Sequence, residues 1–190
     1  MKNILMSAVL CLAAVTAFGA PPAGQPYTEG KYFSVIFPPG WVKKDEALGL
    51  SEPQKKYYGV EFFGPVTGGL AVKIAAHYYA PGNQLYATAE KFIQLHSKPA
   101  IKVNLDGKVY GKVKSGRAGK YYAKVFERKV YEYLPAGALH PQKIHIYEKF
   151  AVVPVKHGFF VLRYYAPMSI AKANIKAYSS VLSSFKPLLR

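Results

Sequence analysis

Apolar and polar positions alternate near the start of the chain. Phe33, Val35 and Phe37 interleave with Ser34 and Ile36, which predicts a strand over residues 31–37 with one fully apolar face. Pro39-Gly40 follows and fits the central pair of a type II turn. The turn ends the strand and sends Trp41 towards a core, where a structural anchor is expected. Residues 57–63 and 70–79 read as two further strands, and the breaker-rich Gly64–Gly69 between them predicts an antiparallel hairpin.

The period then changes. Leu85, Ala89, Phe92, Ile93 and His96 fall on one stripe at helical spacing. Asn83 is placed to cap this helix and Pro99 to end it. Three strands follow, over residues 102–113, 120–133 and 143–153, the first interrupted by Asp106-Gly107. A fourth, 158–166, is reached through the turn Lys156-His157-Gly158. The last element is a helix over residues 169–185 with Ile170, Ala173, Ala177, Tyr178, Val181, Leu182 and Phe185 on one face; Pro187 stops it. That face needs a sheet to cover it. The order strands, helix, strands, helix is an α+β plan with a central, mostly antiparallel sheet flanked by helices.

The ends add an address. Lys2 precedes an apolar run over residues 4–15, about a dozen residues and the length of a signal-peptide core rather than of a membrane span. Small residues at Ala17 and Gly19 place cleavage after Gly19. The expected organisation is a signal peptide at 1–19, a flexible Pro/Gly-rich lead-in at 20–30, and a single domain at 31–190. The product is expected outside the cytoplasm, periplasmic or secreted, monomeric, and not transmembrane after cleavage. Cys11, the one cysteine, leaves with the leader, so disulfides, thiolate nucleophiles and cysteine zinc sites are not expected. The formal charge is +16. Cleavage takes off Lys2 alone and leaves +15, a field that attracts anionic partners. An acidic protein or an anionic envelope surface fits; nucleic acid is not expected outside the cell.

Three stretches carry a family resemblance. "YFSVIFPPGW" resembles the opening strand and turn of the PsbP-like family, "HGFFVLRYYAP" its penultimate strand, and "VLSSFKPL" the close of its terminal helix. The resemblance implies an α/β/α sandwich and an exported, non-enzymatic accessory role. In photosynthetic members that role is support of photosystem II in the thylakoid lumen, including retention of calcium and chloride.

Candidate chemistry is sparse. His77, His96, His140, His145 and His157 show no spacing that puts two ligands on one helical face. Acidic residues are scattered; Asp45-Glu46, the one adjacent pair, sits beside Lys43-Lys44. No Gly-x-Ser-x-Gly elbow is present. Glu127, Glu132 and Glu148 on neighbouring strands are the only basis for a hydrolase, which needs two facing carboxylates; cross-strand pairing with lysines is expected instead. The residues therefore suggest no catalytic set, cofactor or metal. The partner-binding candidate is the segment 106–129, where Lys108, Lys112, Lys114, Arg117, Lys120 and Lys124 crowd one hairpin with Tyr110, Tyr121 and Tyr122. Gly111, Gly116 and Gly119 within it are expected to let the backbone approach a partner closely.

Overall fold

Period-two alternation becomes strands almost throughout. The computed structural model describes residues 24–44, 56–99 and 107–189. In chain order the strands are β1 (Gln25–Glu29), β2 (Phe33–Phe37), β3 (Val42–Lys44), β4 (Tyr57–Thr67) and β5 (Leu70–Tyr79). Helix α1 (Ala89–His96) comes next, then β6 (Val109–Tyr110), β7 (Lys114–Ala118), β8 (Tyr121–Leu134), β9 (Gln142–Pro154) and β10 (Phe159–Pro167). Helix α2 (Met168–Ser184) and β11 (Lys186–Pro187) complete the chain.

The large sheet runs in the order β3-β4-β5-β10-β9-β8-β6, with β7 also on β8, and a small sheet runs β1-β2-β11. Every pairing is antiparallel. One face of the large sheet presents Val60, Ile74, Leu162 and Tyr164 to α2 and the small sheet, forming the main core. The other presents Tyr79, Phe150, Phe159 and Val161 to Ala89 and Phe92 of α1. Helix, sheet and helix therefore stack as an α/β/α sandwich. Its strongly buried central strand is β10, where every residue but Arg163 is buried; a strand covered on both faces must be apolar at both parities.

Buried hydroxyls tie α2 down. Tyr178 Oη donates to Leu162 O at 2.9 Å and Tyr164 Oη to Ala171 O at 2.8 Å, so each buried group has its partner. Phe185, just past the helix, sits between Phe33 and Phe160 at centroid distances of 6.0 and 5.4 Å. No helix among the described residues is long and apolar enough to cross a membrane.

Several expectations change. Gln25–Glu29 is a strand paired with Phe33–Phe37 rather than a flexible lead-in. Thr88, not Asn83, caps α1, its Oγ1 accepting from Lys91 N at 3.1 Å. The β4–β5 connection is tighter than Gly64–Gly69, turning at Gly68-Gly69, both at positive φ. Within 102–113 the described residues hold only the short β6. Trp41 is half-buried, lying over Gly64, where an added Cβ would meet the indole at 2.5 Å. Ala173 is exposed, and Ala171 takes its place on the buried face of α2. The leader, Cys11, Asp45, Glu46 and Asp106 lie outside the described residues.

Candidate functional site

The basic hairpin forms because β7 folds back along β8, with Lys114 opposite Val125, Ser115 opposite Lys124 and Arg117 opposite Tyr122. Strand alternation divides its cations between two faces. Lys112 and Lys114 meet beside Glu127 and Lys149 around a groove of about 330 Å³. Arg117 and Lys124 lie on the opposite face, beside Tyr122. Lys112, Lys114, Arg117 and Lys120 are exposed; Lys108 and Lys124 are half-buried. Lys108 stands apart, its Nζ 5.2 Å over the Tyr131 ring. Lys120 and Lys124 lie over Tyr121 and Tyr122 at 5.7 and 5.2 Å. Among the described residues none of the six forms an ion pair with a carboxylate. Hydrogen bonds from Lys124 and then Ser115 lower the pKa of the Tyr122 hydroxyl.

The glycines serve the fold instead of a partner. A Cβ on Gly116 would meet Val125 at 2.8 Å, and one on Gly119 (φ +55) would sit 2.4 Å from Phe185 O. Gly119 N also donates to Leu182 O at 2.6 Å. The hairpin is thus pinned to the end of α2.

The three strand glutamates do not converge. Glu127 is exposed and accepts from Tyr147 Oη at 2.5 Å. Its chain neighbour Arg128 projects to the other face and pairs with Glu148. Glu132 is exposed, opposite Ile144. Glu148 is 1% exposed, and its partners are arginines, not lysines. Arg128 Nε donates to Oε2, and Arg163 reaches Oε1 through Nε at 2.9 Å and Nη2 at 2.6 Å. Burial alone would raise the pKa of Glu148, but Arg163 and Arg128 outweigh it and hold the carboxyl below its ordinary value.

The two arginines of this triad line a second cavity, of about 120 Å³, beneath α1. Glu61, His77, His96, Arg128 and Arg163 supply its polar walls; Tyr57, Tyr86, Phe92 and Phe150 supply aromatic ones. Burial, then the charge of Arg128, pulls the His96 imidazole down to about 4. Its Nε2 lies 3.0 Å from Tyr86 Oη. His140, His145 and His157 are exposed and do not line this cavity. Among the described residues no three His, Cys, Asp or Glu side chains are grouped to hold a metal ion.

The sequence carries a signal for this cluster. Arg163 and Glu148 each stand inside a strongly apolar stretch, "FFVLRYYA" and "IYEKFAVV". A charge there must be exposed or paired.

Fold and site together define a three-layer α+β domain with a cationic sheet edge. Within that class the chain has a PsbP-like fold. The solution structure of the cyanobacterial PsbP (CyanoP) from Synechocystis matches with a TM-score of 0.50 and 12% identity, over 93% of this chain and 98% of that one. A crystal structure from Bacteroides thetaiotaomicron matches with a TM-score of 0.51 and 11% identity over 87% of this chain, which spans 49% of that protein. LpqN of Mycobacterium tuberculosis, described as involved in cell envelope biogenesis, matches with a TM-score of 0.48 and 16% identity, over 90% of this chain and 87% of that one. No family model matches the sequence, and no curated protein does.

Proposed function

We propose that the protein is an exported, non-catalytic accessory factor that docks an acidic protein or an anionic envelope surface through the hairpin from Lys108 to Lys124. One observation carries the reading. Lys112, Lys114, Arg117 and Lys120 stand exposed on an ordered sheet edge, and among the described residues none of them forms an ion pair with a carboxylate. The leader-like first residues, the +16 charge and the PsbP-like fold support export and an accessory role. The scattered Glu127, Glu132 and Glu148 give no facing carboxylate pair for hydrolysis.

Sedimentation with phosphatidylglycerol vesicles tests the surface arm, and an acidic-protein column tests the partner arm. Exposed charges are screened beyond roughly 8 Å at physiological ionic strength, so retention is expected to fall steeply as salt rises. The variant Lys112→Glu/Lys114→Glu/Arg117→Glu should lose it at low salt. Retention indifferent to both would refute the proposal.

A further inference from the structure

Arginine is chosen for buried sites because its planar fork offers five N–H donors. The Arg128–Glu148–Arg163 triad uses only some of them. Glu148 takes Nε of Arg128, and Nε and Nη2 of Arg163. Both Nη groups of Arg128 and Nη1 of Arg163 make no hydrogen bond among the described residues. Both side chains line the cavity beneath α1, and they keep 18% and 35% side-chain exposure. His96 adds a third feature: its Nδ1 is buried without a hydrogen-bond partner, and buried polar atoms in this state call for an explanation.

Charge narrows what can fill the space. The walls carry both signs, Glu61 together with Arg128 and Arg163, while His96 stays neutral near pH 7 because its pKa is lowered to about 4. A bare anion or a bare cation would match only one of the two signs. A molecule with both charges and no net charge matches both. Size narrows it further: about 120 Å³ is below the roughly 300 Å³ at which pockets for larger ligands begin. We propose that this cavity binds a small zwitterion of α-amino-acid size. The unengaged Nη groups of Arg128 and Arg163 hold its carboxylate, while its ammonium faces Glu61 and the rings of Tyr57 and Tyr86. A planar guanidinium suits a two-oxygen acceptor, and tyrosine faces attract an ammonium. Glu61 keeps its own contacts; a carboxylate has about four lone-pair positions to share.

The test is calorimetry and side-chain NMR on the full chain with glycine and both alanine enantiomers. Acetate and methylammonium, each carrying one end, serve as controls. Glycine or alanine should bind saturably and shift the His96 and Tyr86 signals, with acetate and methylammonium at least about tenfold weaker. Glu61→Gln should weaken the amino acid about tenfold and leave acetate unchanged. Arg128→Lys, which keeps the charge on Glu148 but loses the fork, should weaken amino acid and acetate alike. No saturable response up to about 50 mM would overturn the proposal, as would acetate binding as tightly as glycine. An undiminished response in Glu61→Gln would overturn it too. The site is independent of the hairpin, so the vesicle and column tests succeed or fail without it.

Discussion

Glu148 is tolerable inside β9 only because both of its oxygens are claimed. Replacing it with glutamine would leave two guanidinium groups without their counter-charge, and breaking a buried pair from one side costs about 3–5 kcal/mol. Glu148→Gln should therefore lower the urea midpoint more than Glu127→Gln, whose carboxylate is exposed. Two acid-sensitive groups meet here. Glu148 has a folded pKa below its ordinary 4.5, so its contribution is present above that value and lost as pH falls through the folded pKa. His96 is a base whose folded pKa, about 4, lies below the ordinary 6.5. The unfolded chain binds its proton first, so this contribution is complete above 6.5 and erodes from there down to about 4. Thermal midpoints should fall between about pH 7 and pH 5, and His96→Gln should flatten that part of the curve. A lone charge in an apolar strand announces a partner, but not which one. Arg128 and Arg163 lie 20 and 15 residues from Glu148, and only the strand register brings them to it.

Elements were more legible than their ends. The long strands and both helices follow from periodicity, because burial on one face imposes it; the short strands Val42–Lys44 and Lys114–Ala118 do not. Caps are local contests that the same residues can settle in different ways. Asn83 stands before an apolar run, as a cap would, yet its Oδ1 accepts from Leu85 N at 3.1 Å and Tyr86 N at 2.8 Å. That turn postpones the helix to Ala89 and leaves Leu85 48% exposed. Thr88→Ala should cost about 1 kcal/mol and loosen the lid of the cavity, whereas a cap at Asn83 would make it neutral. The phase of α2 shifted for a packing reason: Tyr178 points at Leu162 O, which turns Ala171 inwards and Ala173 out. Turn chemistry fared better. Gly158, expected in the β9–β10 turn, has φ +90, and a Cβ there would fall 2.1 Å from Tyr79 O. Gly158→Ala should cost at least about 2 kcal/mol by equilibrium denaturation. The lysine-rich hairpin was visible from composition, but the use of its glycines was not, since Val125 and Phe185 O come against them through tertiary packing.

At the scale of the whole molecule, the first and last of the described strands are built into one small sheet. β11 pairs with β2, Leu188 N donates to Tyr32 O at 2.8 Å, and β1 covers the other side. Neither the pairing of Lys186–Pro187 nor the strand at Gln25–Glu29 shows in the sequence, because the first is too short for a period, the second has no apolar alternation, and both carry prolines. The small sheet has no core of its own; Phe33, Val35 and Phe37 sit in the same cluster as Leu162 and Tyr178. It cannot melt without opening the main core, and so the molecule should unfold as one unit. Trp41 is the only tryptophan, and it bridges the turn after β2 and Gly64 of β4. Its fluorescence therefore reports the junction between the sheets, while far-ultraviolet circular dichroism reports the large sheet. Phe185 lies 1% exposed at the same junction, and its truncation to alanine should cost about 3–5 kcal/mol. Both signals should move together to lower denaturant, with the two transitions still coincident. A tryptophan transition that separates and precedes the other would show that the small sheet is a detachable flap, because only an independently opening β1-β2-β11 layer frees Trp41 while the β4–β10 ladder persists.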